Sequence, residues 1–149
     1  MHYFFESIFI GVYTLIIYTL LNSFIINKNI NMILFIVGFF KHYLGHYLNL
    51  HTYYCNNGYA CKSSNISSHL SSITGKQSII SNLDIFTESF FEGIVFIFIG
   101  KFIHNFLVTN FKINNQFLLF FLIGFTLHML SEFFHIHTFF CNNRCAKIK

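Results

Sequence analysis

Two blocks recur along this chain in the same order and at nearly the same spacing. Glu6-Ser7-Ile8-Phe9-Ile10-Gly11 opens one long apolar stretch and Glu88-Ser89-Phe90-Phe91-Glu92-Gly93 opens another. Gly38-Phe39-x-x-His42-x-Leu44 recurs as Gly124-Phe125-x-x-His128-x-Leu130, and His51-Thr52-Tyr53-Tyr54-Cys55-Asn56-Asn57 as His137-Thr138-Phe139-Phe140-Cys141-Asn142-Asn143. An apolar two-helix unit written twice restricts the fold sharply. Each copy must cross a bilayer twice or bury its apolar faces against the other.

Four apolar segments carry the pattern, at residues 3–26, 30–54, 83–108 and 116–140. Each exceeds the ~20 residues a helix needs to cross a ~30 Å hydrocarbon core. The expected fold is all-α: an integral membrane four-helix bundle built from two tandem parallel repeats of a transmembrane helical hairpin. The copies occupy residues 1–61 and 83–149, joined by a Ser-rich polar linker at residues 62–82. Asn27-Lys28-Asn29 and the stretch from Thr109 to Asn115 read as the two tight hairpins. Two spans per copy give both copies the same orientation, so both termini, the linker and all four cysteines fall on one side.

Composition agrees with a bilayer as solvent. Charged residues are 9% of the chain, hydrophobic residues 54%, and Phe fills 23 positions. The net charge of +4 is spread out, with no basic cluster, so no nucleic-acid partner is expected. The expected partners are the lipid bilayer and, beyond it, further copies of the chain. The first helix lacks the basic start of a cleavable signal peptide and is expected to remain as a span.

Sidedness is balanced on paper. Lys62, Lys76, Arg144, Lys147 and Lys149 lie on the cysteine side, against Lys28 and Lys112 on the hairpin side, which favours a cytosolic cysteine side. Lys28 following the first span, the cysteines themselves and the sequon Asn65-Ile66-Ser67 favour the reverse. An extracytosolic cysteine side is the preferred expectation.

In helices 2 and 4 the polar residues inside the spans gather on that side. Helix 2 is apolar to Phe40 and then carries Lys41, His42, His46, Asn49 and His51; helix 4 carries His128, Glu132, His135 and His137 after Thr126. At 100° per residue, His42, His46 and Asn49 form one stripe and His128, Glu132 and His135 the matching one, with His51 and His137 on the opposite face. Such stripes must face protein or a wet cavity. Antiparallel neighbours should bring Glu6 to the depth of Asn49 and His51, Glu88 to His135 or His137, and Glu92 to Glu132. The candidate cluster is therefore Glu6, Glu88, Glu92, Glu132, His42, His46, His128 and His135.

Glu132-Phe133-Phe134-His135 is similar to the Glu-x-x-His element of carboxylate-bridged di-metal bundles, but the first half offers His46-x-x-Asn49 in its place. Zinc, iron and manganese all suit such donors. The preferred reading is His–Glu hydrogen bonding that specifies helix packing. Metal binding and a proton or metal-ion pathway stand beside it. Lys41 has Leu127 as its counterpart and either pairs with a glutamate, snorkels or loses its proton; Lys101 snorkels.

Cys55, Cys61, Cys141 and Cys145 sit just past the ends of helices 2 and 4. Three disulfide connectivities are open, and a local bridge in each half, Cys55 to Cys61 and Cys141 to Cys145, is preferred over a four-cysteine zinc site or a redox-active pair. Gly11, Gly38, Gly93 and Gly124 read as close helix-packing points.

The block from Glu6 to Tyr13, with Lys41-His42-Tyr43-Leu44-Gly45 and the run from His51 to Cys61, resembles small multi-span membrane proteins encoded by giant nucleocytoplasmic DNA viruses. The bias toward residues of A/T-rich codons fits. That resemblance implies a virion inner membrane or a host-derived one, with virion membrane proteins as partners, and names no reaction. The expected function is a non-enzymatic membrane component, with a metal-dependent membrane oxidoreductase or an ion transporter as the alternative.

Overall fold

A computed structural model describes residues 2–24, 29–63 and 82–145. Seven α-helices and no strand occur among them: α1 (His2–Asn22), α2 (Ile30–Tyr47), α3 (Leu50–Asn57), α4 (Tyr59–Ser63), α5 (Asn82–Phe111), α6 (Gln116–Phe133) and α7 (Ile136–Phe140). A single π-helical turn, Cys141–Cys145, follows α7. The segment at residues 64–81, the turn at 25–28 and the sequon at Asn65 lie outside the described residues.

Among the described residues three helices are long and apolar enough to cross a membrane: Tyr3–Asn22, Leu83–Phe111 and Gln116–Phe133. At 1.5 Å per residue the shortest would reach about 27 Å. α2 matches α6 in length, 18 residues each, but spends three positions on Lys41, His42 and His46, which lowers its apolar character.

Asparagines start the second helix of each half. Asn29 Oδ1 accepts the Asn31 N–H at 3.0 Å, and Asn115 Oδ1 accepts those of Phe117 and Leu118 at 2.9 and 3.2 Å. These bonds satisfy N–H groups that have no partner inside the helix. The other ends differ from the expected spans. Helix 2 stops at Tyr47 rather than running to residue 54, and helix 4 stops at Phe133 rather than running to 140. Asn49 and His135 both take φ 57°, ψ 21°, the left-handed conformation that terminates helices. Their N–H groups bond back to the carbonyls of His46 and Glu132. A short helix, α3 or α7, then leaves at a new angle.

The long helices pack across the halves. α1 lies chiefly against α6 and α2 against α5, while neighbours within each hairpin touch less. The same local contacts occur at both crossings. A Cβ on Gly11 would meet Phe121, including its carbonyl oxygen at 3.0 Å, and one on Gly93 would meet Phe35, with its oxygen at 2.9 Å. Gly38 faces Phe96 and Gly124 faces Thr14 in the same way. Small residues here let backbones approach closely. Ser7, Thr14 and Ser89 are buried at these contacts, and each hydroxyl donates to the carbonyl four residues earlier at 2.8 Å. Toward the α1 C-terminus the core is apolar, with Tyr18 stacked on Phe120 at 4.2 Å and its hydroxyl on Gln116.

Gly124→Ala places a methyl 2.3 Å from Thr14 Oγ1 and 2.9 Å from the Ile10 carbonyl. Overpacking of this kind costs about 1–3 kcal/mol. Thermal unfolding in detergent should register that loss, while Gly45→Ala, whose added carbon meets nothing within 3.6 Å, should leave the midpoint unchanged or raise it.

Candidate functional site

Two polar chambers form where α2 and α6 end. In the first, Glu92 of α5 holds Lys41 through Oε1 and His42 Nδ1 through Oε2, the latter at 2.7 Å. Glu88, one turn earlier on α5, brings Oε2 to 3.5 Å from His42 Nε2. In the second, Glu6 of α1 brings Oε2 to 3.6 Å from His128 Nε2, and Glu132 accepts from His137 Nδ1 at 2.7 Å. The Glu88–His42 and Glu6–His128 contacts join corresponding atoms of corresponding residues.

The glutamates of helices 1 and 3 thus reach histidines of the opposite half, while Glu6 also accepts the Tyr59 N–H of its own half through Oε1 at 2.9 Å. Glu6, expected at the depth of Asn49 and His51, meets His128; Glu88 meets His42 rather than His135 or His137; and Glu92, expected level with Glu132, meets His42 and Lys41. The cause is the packing of α1 on α6 and α5 on α2; the hairpin-neighbour register assumed the opposite pairing. Lys41 takes the glutamate among its three expected fates.

The left-handed turns decide which histidines join. By folding α3 and α7 back, they place the His51 ring 4.7 Å from that of His42 and 5.9 Å from that of His46. The His137 ring lies 4.4 Å from that of His128. On continuous helices both would have faced away. Burial pushes the His51 imidazole, beyond the end of α2, down to about 3, so it stays neutral. His135 and Asn49 occupy the turns themselves and are exposed. The Glu132-x-x-His135 element is therefore not formed, because the helix ends between its two members. Glu132 turns to His137 instead.

Tyr54 was not among the expected site residues. It reaches from α3 into the second chamber, donating from its hydroxyl to Glu132 Oε1 at 2.9 Å and lying 5.1 Å from the His137 ring. Phe140, its counterpart, crosses the other way and lies 5.9 Å from His51. The single hydroxyl that differs between Tyr54 and Phe140 was the signal in the sequence. Tyr13 also contributes, donating to the Lys41 carbonyl at 3.1 Å.

The cysteines close the end of the bundle across the halves. Cys55 is bonded to Cys145 and Cys61 to Cys141, with Cα–Cα distances of 5.4 and 5.2 Å. The expected local bridges are not made. The back-folded α3 and α7 bring the two cysteine pairs face to face, so each sulfur meets one from the other half. All four cysteines are buried with Ala60, and Tyr54 and Phe140 pack against them.

Among the described residues two groups could hold a metal ion: His128, Glu132 and His137, and Cys61, Cys141 and Cys145, the latter engaged in the bridges. No family model, curated protein or solved structure matches the chain, so the site is read from its own geometry.

Proposed function

We propose that this chain is a non-enzymatic structural protein of a membrane, a bundle of four spans made from two copies of one helical hairpin. Its His/Glu chambers lock the copies together beneath a disulfide-bonded cap. The supporting observation is an inverted surface. Phe98, Phe102 and Leu83 stand 71%, 72% and 72% exposed, whereas Ser7, Thr14, Ser89 and His128 are buried. In water that distribution wastes the hydrophobic effect, and in lipid it minimises free energy. Recurrence of the glycine contacts, the left-handed turns and the glutamate–histidine contacts supports two copies of one unit. With three spans already long and apolar, α2 makes the fourth, its polar end sheltered by α5.

Disulfides belong to oxidising compartments, so the cysteine cap faces away from the cytosol in this reading. The likeness to giant-virus membrane proteins extends it to a virion inner membrane. The test is made on the chain inserted into microsomes. Alkaline carbonate should leave it in the pellet. A membrane-impermeant thiol reagent should label it only after the vesicles are opened and the protein reduced. Carbonate extraction of the chain, or labelling of intact vesicles without reductant, would reject the reading.

A further inference from the structure

We infer that His128, Glu132 and His137 bind one divalent first-row transition ion of the zinc, iron or manganese class. His128 and Glu132 are four residues apart on α6 and share a face. The left-handed turn at His135 returns His137 to that face. One donor atom from each side chain can be chosen so that all three lie within 4.8 Å of one another. Donors held ~2.1 Å from a common ion stand ~3.4 Å apart at tetrahedral angles, so closing the site needs side-chain rotation rather than backbone movement.

A second observation points to a ligand. His128 is only 6% exposed, and its Nε2 is buried and makes no hydrogen bond. A buried imidazole nitrogen without a partner is costly unless something occupies its lone pair or takes its proton. That nitrogen faces Glu6 Oε2 across 3.6 Å, a gap too wide for a good hydrogen bond; His42 Nε2 stands likewise 3.5 Å from Glu88 Oε2 but on a side chain that is 17% exposed. Tyr54 donates to Glu132, the kind of contact that fixes a carboxylate ligand.

The two chambers differ in where a cation comes from. In the first, Lys41 supplies it to Glu92. In the second, Leu127 stands at the position of Lys41 while Glu6 and Glu132 bring two carboxylates. Two imidazoles and one or two carboxylates match a divalent ion in charge and donor type, and the absence of sulfur from the set favours zinc, iron or manganese. The structural role survives without the ion, so the two readings fail separately.

The experiment uses the full chain in detergent, stripped with a chelator and dialysed against Zn2+, Mn2+ or Fe2+, with metal measured per chain. One equivalent is expected for at least one of these ions. Affinity should fall at least ~10-fold in Glu132→Gln and His137→Ala, the usual scale for losing a ligand or its support, and stay unchanged in His51→Ala. Cobalt substitution gives a readout that needs no variant: its visible spectrum should be that of nitrogen and oxygen ligands. No metal bound by the parent chain overturns the site. So does binding indifferent to Glu132→Gln and His137→Ala, or a thiolate-to-cobalt band, which would move the ion to the cysteines.

Discussion

A chain cut within residues 64–81, at an inserted protease site, should remain one species on a non-reducing gel and fall into two on adding a thiol reductant. Both bridges join the halves, Cys55 to Cys145 across 90 residues and Cys61 to Cys141 across 80. Local bridges would release the fragments without reductant, so the outcome separates the two pairings directly. The stability consequence is large. Closing a loop of this length by chain entropy is worth about 4.5 kcal/mol. The second bridge then closes only the short ring through the first, and contributes roughly 2–3 kcal/mol. Reduction should therefore lower the thermal midpoint by far more than either Cys55→Ser or Cys61→Ser alone. The single variants should lie close together, because whichever bridge remains supplies the long-loop term. A midpoint indifferent to reductant would mean that the cap is held by packing of Ala60, Tyr54 and Phe140 and that the bridges add nothing.

The same cap explains which parts of this molecule were readable in advance. Helix identity follows from apolar runs, and the polar ends of helices 2 and 4 were visible as clusters. The turns at Asn49 and His135 were not, because neither position holds the Gly or Pro that normally marks a helix end. Asn and His tolerate the left-handed conformation better than most residues, and two such residues at corresponding positions were the only trace. Missing them cost the most. A straight helix sends His51 and His137 outward and keeps His135 with Glu132; the bent chain does the opposite. It also sets the cysteines of one half against those of the other. Helix pairing was hidden for a different reason. A tight hairpin suggests that its two arms are each other's main partners, yet the glycine faces of α1 and α5 fit Phe121 and Phe35 of the opposite half. Periodicity locates such a face without saying which helix it meets.

Glu92→Gln is expected to be the most damaging single substitution in the long helices, costing about 3–5 kcal/mol, the usual loss when one partner of a buried ion pair is removed. Glu92 and Lys41 are 20% and 15% exposed at their side chains. The ammonium also lies 5.5 Å from the Phe96 ring centre, a contact too weak to replace the carboxylate. Removing the carboxylate's charge strands Lys41 in an apolar setting and weakens the bond to His42 Nδ1. The other half of the chain shows what the frame accepts instead: Leu127 stands at the position of Lys41 and Ile10 at that of Glu92. Lys41→Leu with Glu92→Ile should therefore unfold closer to the parent than either single change does, keeping only the cost of a His42 Nδ1 without its carboxylate, about 1–3 kcal/mol. Denaturant titration in mixed micelles would measure the cycle. A coupling of at least ~2 kcal/mol identifies the pair as one unit, whose charge is tolerated only because both members are present. Additive losses would mean that Lys41 reaches water by snorkelling, and that Glu92 acts through His42 alone.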